Sequence, residues 1–352
     1  MNQQSETEFL AMNVSTTDSI PRGVISDTAI ANLGILFKVI LNPTLGTVGF
    51  CANVVNMIVF CKIGLSDGVT QNFFILSISD ASLAAVSMVN SAAYILYAKV
   101  YVGQGGPENN AQVVYWASLL IGAFPQSVSM ITTVVIAVVR CLCVAMPLRV
   151  KFLITTGRQL AVILGFSTVS ACVVIYAFAR SRVVIVHNPQ TNETLAMLVD
   201  LNWYEYTLFS NVTYYIGFAI VIICVIMLST SLKKSSDFRE KSTGGSSNSD
   251  SAATNAKDGR REARVVKTVV FVSIVFIVCY LPSMTFTLIG TLVSEFSADG
   301  LYRNANLFNI MVMEMFVVIN VAVNIFIYYF CNARYRAAFK EIFGREPKVN
   351  KQ

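Results

Sequence analysis

Seven stretches of the chain are apolar over about twenty residues or more, and polar segments separate them. They lie at roughly 35–61, 72–98, 113–139, 159–179, 207–232, 265–293 and 306–331. Each is long enough to cross the hydrocarbon core of a bilayer as an α-helix. The pattern therefore predicts an all-α integral membrane protein, a seven-transmembrane helix bundle occupying residues 35–331.

The segments around the bundle follow other patterns. Residues 1–34 are polar and predict an N-terminal tail, and residues 345–352 predict a short C-terminal tail. Between them, residues 332–344 alternate apolar and basic positions at helical spacing, which predicts an amphipathic helix on membrane lipid. The segment 234–261 is rich in Ser, Gly, Asn, Lys and Asp and is expected to be disordered. Alternating residues within 180–206 predict a short hairpin over the mouth of the bundle.

The distribution of basic residues predicts the orientation. On one side of the predicted membrane lie six of the 26 Lys and Arg, and the others lie on the opposite side. The six are Arg22, Lys38, Lys99, Arg180, Arg182 and Arg303. Basic residues flanking spans remain cytoplasmic, so we expect an extracellular N-terminus and a cytoplasmic C-terminus at the plasma membrane. Glycosylation sequons at Asn13 and Asn192 fall on the predicted outer side.

Composition narrows the functional class. The chain is 55% hydrophobic and 13% charged, and its net charge of +6 suits anionic lipid rather than nucleic acid. With one histidine and few intramembrane carboxylates, an enzyme is disfavoured. A transporter would be expected to show internal repeats, and a ligand-gated channel of the insect chemosensory type would have its N-terminus inside. A receptor is the favoured class, with transporter and channel as alternatives.

A few polar residues interrupt the spans, where an unpaired polar group is costly. Asp80 is the only carboxylate of the second span, so it either is protonated or holds a cation. Arg140 lies at the inner end of the third span. Glu314, in the outer part of the seventh span, either faces a ligand amine or meets Arg303 or water.

The order and spacing of these residues resemble the rhodopsin-like (class A) G-protein-coupled receptors. The markers, in chain order, are Asn53, LSISD ending at Asp80, Arg140 before Pro147-Leu148, FIVCYLP ending at Pro282, and Asn324 with Tyr328. The chain departs from that family at Val139, Ile325 and Tyr280, where the family usually has an acid, a proline and a tryptophan. Such divergence resembles invertebrate members, including molluscan chemosensory or neuropeptide-type receptors.

The resemblance also implies roles for individual residues. G-protein coupling and the lock of the inactive state are assigned to Arg140, Glu262 and Tyr328. An internal pocket for allosteric Na+ is assigned to Asp80, Ser129, Asn320 and Asn324, the alternative being a hydrogen-bonded network around a neutral Asp80. The ligand-pocket candidates are Gln126, Tyr280, Ser283, Thr287 and Glu314. Ordinary packing remains open for Tyr280, and pairing of Glu262 with Arg261 or Lys267 remains open as well. Gly122 and Val318 stand where amine receptors and visual pigments carry their ligand-binding aspartate and lysine, which argues against amines and retinal.

These features predict a receptor for an extracellular small molecule or short peptide that activates a heterotrimeric G protein. A chemosensory role is favoured, and a neuropeptide receptor is the alternative. The tail after Phe339 lacks Ser and Thr, so arrestin is expected to be recruited by phosphorylation of the third inner loop. The sites predicted there are Ser242, Thr243, Ser246 and Ser247.

Overall fold

The computed structural model describes residues 24–101, 111–146, 154–188, 193–200, 203–242, 250–296 and 300–344. Within these ranges, seven helices are long and apolar enough to cross a membrane, which confirms the predicted bundle. They are α1 (Asp27–Ile63), α2 (Gly68–Tyr101), α3 (Ala111–Ala145), α4 (Thr156–Arg180), α5 (Trp203–Ser242), α6 (Asp250–Leu292) and α7 (Arg303–Cys331). An eighth helix, α8 (Ala333–Phe343), follows α7 after a single residue.

The helices close into a ring in which α3 is central. The first two helices pack together, α2 packs on α3, and α7 contacts both α6 and α1, while α3 also touches α4, α5 and α6. Large apolar side chains at other positions point outward, as bilayer-facing residues should; Ile175 and Phe330 are 66% and 70% exposed. The polar side chains of the spans turn inward, among them Asn53, Asp80 and Asn324.

The first helix is irregular near its outer end. Residues Ile35–Leu41 are π-helical, and the backbone N–H of Asn42 donates to the carbonyl of Phe37, five residues earlier. The next residue is Pro43, which has no N–H and whose ring would crowd the carbonyl of residue 39 in a regular α-helix. Widening of the turn before Pro43 relieves that clash and is a common form of helix distortion.

A β-hairpin connects α4 to α5, as the alternating pattern predicts. Strand β1 (Ser181–Asn188) pairs antiparallel with β2 (Glu193–Asp200), in a register that places Ser181 opposite Asp200. The backbone of β2 also contacts α3. The hairpin therefore lies against the bundle at the end where α4 finishes and α5 begins.

The third inner loop is more helical than the sequence pattern indicates. Disorder was predicted for 234–261, whereas α5 continues to Ser242 and α6 begins at Asp250. The extensions contain Lys, Arg, Glu and Ala, which are good helix formers, and each prolongs a helix already nucleated in the span. Of the predicted phosphorylation sites, Ser242 ends α5, and Thr243, Ser246 and Ser247 lie outside the described residues, as do the sequons Asn13 and Asn192.

The amphipathic helix α8 begins with a side-chain cap. The Oδ1 atom of Asn332 accepts hydrogen bonds from the backbone N–H groups of Arg334 and Tyr335, at 3.1 and 3.2 Å. The Tyr335 ring is fully buried, and its hydroxyl donates to Asn56 Oδ1 at 2.6 Å. Burial raises the pKa of the Tyr335 phenol, so the hydroxyl keeps the proton that it donates to α1.

Candidate functional sites

An outer cavity of about 230 Å³ lies between α2, α3, α6 and α7. Its walls are mostly apolar, with Leu83, Val86 and Val317 among them. A smaller number of polar groups also face it, namely Ser87, Asn90, Ser118, Gln126, Ser283 and Glu314. An apolar cleft with a few convergent polar groups is typical of small-molecule sites.

Three of the five predicted ligand-pocket residues line this cavity. Gln126, Ser283 and Glu314 do so, together with Gly122 and Val318. The lining does not include Tyr280 or Thr287. Tyr280 is buried and stacks on Phe276 with ring centroids 4.5 Å apart, which matches the packing alternative. Thr287 lies farther toward the outer end of α6 and is half-buried.

Glu314 forms an ion pair with Lys38 across the bundle. The Nζ atom of Lys38 donates to Oε2 of Glu314, and Asn42 Nδ2 reaches the same oxygen at 3.4 Å. The Lys38 side chain is 1% exposed, and that of Glu314 is 22% exposed. Lys38 therefore supplies the positive partner of the Glu314 carboxylate, and neither Arg303 nor a ligand amine is needed for that role.

The cation has further neighbours that lower the cost of its burial. Lys38 Nζ donates to Asn90 Oδ1 at 3.4 Å and to the Tyr115 hydroxyl at 3.3 Å. It also lies over the rings of Tyr115 and Tyr94, 5.2 and 5.9 Å from their centroids. Asn90 in turn donates to Ser118 Oγ at 2.9 Å. Lys38 is therefore a buried member of a network that spans α1, α2, α3 and α7, and it does not belong among the flanking basic residues from which the orientation is predicted.

The irregular part of α1 determines where Lys38 lies. The residue is in the π-helical turn before Pro43, so its direction does not follow the α-helical period. One turn earlier is Gly34, where an added Cβ would lie 2.2 Å from the Tyr94 hydroxyl. Glycine at this position allows the tyrosine ring to approach α1 closely, beside the ammonium group of Lys38.

Below this network lies the carboxylate of Asp80, which is completely buried. Its Oδ1 accepts from Ser129 Oγ at 2.7 Å, and its Oδ2 accepts from Asn324 Nδ2 at 2.8 Å. Asn320 is buried one turn before Asn324 on the same helix. The structure thus brings three of the predicted sodium-pocket residues into direct contact and places the fourth nearby.

The donor set fits a monovalent cation. A buried carboxylate and hydroxyl and amide oxygens are the ligands of a hard ion, and within the described chain Asn324 Oδ1 is buried without a hydrogen-bond partner. A group of three or more His, Cys, Asp or Glu that would suit a transition metal is not found in the part of the chain described.

An inner cavity of about 330 Å³ opens at the opposite end of the bundle. Arg140, Arg264 and Arg334 line it together with Asp67. The predicted lock partner Glu262 is on α6, two residues before Arg264, but its side chain is outside the described set, so the Arg140–Glu262 pair stays a prediction. The sequence pattern does not single out Asp67, because this residue belongs to the short turn before α2.

Tyr328 is buried beside the inner cavity. Its ring contacts Phe60, Phe73 and Tyr335 at centroid distances of 5.2, 4.9 and 5.7 Å. Its hydroxyl is enclosed without a hydrogen-bond partner among the described residues. A buried hydroxyl left unpaired costs free energy, which any rearrangement that finds it a partner would recover.

Comparison with known proteins gives one clear result. A family described as "Serpentine type 7TM GPCR chemoreceptor Srw" matches residues 40–346, which include α1 from Ile40 onward and every later helix through α8. No curated protein matches the chain. Since the family covers most of the sequence, the chain belongs to the Srw family of serpentine, seven-helix G-protein-coupled chemoreceptors, and it is a receptor rather than an enzyme.

Proposed function

We propose that this chemoreceptor binds a small extracellular molecule in the outer cavity and activates a heterotrimeric G protein at the inner cavity. The observation that carries the proposal is the presence of two cavities at opposite ends of one bundle, with Asp80 and Tyr328 buried between them. The N-terminus would be extracellular and the receptor would reside in the plasma membrane. The class A resemblance supports the same arrangement.

The size of the outer cavity favours a small molecule over a peptide. Its volume of about 230 Å³ lies below the range of about 300–1,000 Å³ that is usual for drug-sized ligands. The polar groups within it are few and mostly neutral. A neuropeptide receptor remains the second candidate, because the class A resemblance includes receptors of that type.

Signalling would pass through the buried polar residues of the bundle. Arg140 would contact the G protein, and Tyr328 would leave its aromatic cluster to find a partner for its hydroxyl. Asp80, Ser129, Asn320 and Asn324 would hold Na+, which supplies positive charge to the buried carboxylate and favours the resting arrangement. The other reading, a neutral Asp80 within a hydrogen-bonded network, makes agonist binding insensitive to sodium.

The test is expression in reporter cells with a promiscuous G protein. Wild-type receptor and Arg140→Ala, at matched surface expression, are challenged with volatile and water-borne small molecules, amino acids and short peptides. We expect small-molecule agonists whose responses disappear in Arg140→Ala. Responses confined to peptides would favour the neuropeptide receptor. Agonist responses that Arg140→Ala retains in full would contradict G-protein coupling through the inner cavity.

A further inference from the structure

The Lys38–Glu314 pair gives the outer cavity a specific electrostatic character. Glu314 lines the cavity, whereas Lys38 lies behind it and is not part of the lining. The carboxylate presents one oxygen, Oε2, to Lys38 and Asn42. Its other oxygen, Oε1, is buried and has no hydrogen-bond partner among the residues that the structure describes. A residue that lines the cavity therefore has one carboxylate oxygen without a hydrogen bond.

The negative charge of the Glu314 carboxylate is offset by Lys38. Lys38 is the cation in direct contact with Glu314, so the pair as a whole is neutral. A cationic ligand entering the cavity would gain attraction to the carboxylate but would meet repulsion from the nearby ammonium, and it would also lose its own hydration. An uncharged ligand with an O–H or N–H donor loses far less hydration and still satisfies Oε1.

We infer that the outer cavity selects small, uncharged molecules with an apolar body and one hydrogen-bond donor, which donates to Oε1 of Glu314. Lys38 acts as a positioning residue: it neutralises Glu314 and fixes Oε2, so that Oε1 is the oxygen left to accept a hydrogen bond from the ligand. The apolar walls, with Leu83, Val86 and Val317, contact the ligand body. This inference rests on the proposed function, in which the cavity is the ligand site, and it names the ligand class.

The test uses three probes with the same apolar body: 2-phenylethanol, its methyl ether and 2-phenylethylammonium. Binding to the purified full-length receptor is measured near neutral pH as the rise in Tm with probe concentration. For the wild type, we expect the alcohol to bind on the order of tenfold tighter than the ether, because only the alcohol donates to an ionised acceptor. The ammonium is expected to bind no tighter than the alcohol.

Charge variants then separate the role of Lys38 from general packing. Lys38→Met removes the cation and should invert the preference toward the ammonium probe. The double variant Lys38→Met/Glu314→Gln removes both charges and should lose that gain. If Lys38→Met does not fold, the exchanged pair Lys38→Glu/Glu314→Lys keeps both charges and turns the cavity-facing group into a donor. The alcohol and the ether should then bind alike.

Several results would overturn the inference. These are equal binding of alcohol and ether to the wild type, tighter binding of the ammonium to the wild type, or no change in Tm with any probe. Failure of the proposed function looks different: the binding order holds, yet no agonist produces a G-protein response. Conversely, if Glu314→Gln does not change the order of agonist potency, the inference is contradicted and the proposed receptor function is not.

Discussion

At the scale of single residues, Asp80 shows how a buried carboxylate can be accommodated in a bundle. Both of its oxygens accept hydrogen bonds, from Ser129 and Asn324, but these donors are neutral. Neutral donors alone do not compensate a full negative charge removed from water. Either a proton or a cation must therefore accompany the carboxylate, and the two cases make different predictions.

Replacing Asp80 with Asn should abolish the effect of sodium on agonist affinity, since the proposed site loses its only formal negative charge. The measurement is agonist competition or Tm with sodium replaced by a large organic cation at constant ionic strength. Glu341→Gln is the matched control, because it removes an exposed carboxylate on α8, where the Glu341 side chain is 64% exposed. A sodium effect that persists in Asp80→Asn would show that the carboxylate serves only as part of a hydrogen-bonded network.

The site residues that can be predicted from sequence are those whose chemistry is unusual for their position. Asp80, Ser129 and Asn324 were grouped by resemblance, and the structure brings them into contact. The buried position of Lys38 cannot be predicted in the same way, because a basic residue near the start of an apolar run usually lies at the membrane interface. The sequence does contain an indication of the pair. Glu314 lies near the outer end of the seventh predicted span, and Lys38, the only Lys or Arg within the first predicted span, also lies near an outer end.

At the scale of elements, the irregular outer part of α1 could not be predicted from hydrophobic periodicity, which assumes 3.6 residues per turn. The spans themselves could be predicted, because length and apolarity suffice for that purpose. The composition of the third inner loop alone does not predict the helical extensions of α5 and α6. A segment that is too polar to pack can still continue a helix that the membrane already stabilises.

Helix α8 is connected to the bundle by a chain of hydrogen bonds. Tyr335 donates to Asn56, Asn56 donates to Asn53 at 3.2 Å, and Asn53 donates to the Val321 carbonyl of α7 at 2.9 Å. All three side chains are fully buried. The position of α8 is therefore linked to that of α1 and α7 through groups that have no access to water.

Tyr335→Phe should lower the free energy of unfolding by about 1–2 kcal/mol, because it removes the hydroxyl and leaves a buried amide oxygen without that donor. The expected readout is a fall in Tm of the purified receptor by a few degrees. Tyr302→Phe is the matched control, since the Tyr302 side chain is 37% exposed. Equal Tm values for the two variants would mean that the Tyr335 hydroxyl contributes nothing to anchoring α8.

At the scale of the whole molecule, activation is an equilibrium between resting and signalling arrangements, and a single surface ion pair shifts it only slightly. The expected Arg140–Glu262 pair would contribute about 0.2–1 kcal/mol. Glu262→Ala should therefore raise ligand-independent signalling no more than a few-fold, since about 1.4 kcal/mol corresponds to a tenfold change. Arg140→Ala should nearly abolish coupling.

Basal reporter activity at matched surface expression measures this effect. Asp67→Asn belongs in the same experiment, because Asp67 lines the inner cavity with Arg140. A rise in basal activity for Asp67→Asn but not for Glu262→Ala would mean that Asp67, in the turn before α2, stabilises the inactive state instead. No rise in either variant would rule out a carboxylate lock at this cavity.

Desensitisation is expected to depend on the third inner loop, because residues 333–352 contain no Ser or Thr that could be phosphorylated. Changing Ser242, Thr243, Ser246 and Ser247 together to Ala should strongly reduce agonist-dependent arrestin recruitment. Each phosphate would otherwise add about −1.5 to −2 charge at the junction of α5 and α6. Substitution preserves the lengths of both helices, which a deletion would not.

Arrestin recruitment is measured in living cells, with the G-protein response as the internal standard. Ser294→Ala, in the outer turn after α6, serves as a control for loss of a hydroxyl elsewhere. Full recruitment by the fourfold Ala variant would place the arrestin signal outside these sites.

The π-helical turn of α1 makes chain length itself a determinant of specificity. The ion pair with Glu314 depends on the rotational setting of Lys38, and that setting depends on a turn whose hydrogen bonds join residues five apart. Loss of one residue between Val39 and Leu41 would rotate Lys38 and everything before it by about 100° relative to the helix below. Relatives that differ by one residue here would therefore differ in ligand preference while keeping every cavity side chain unchanged.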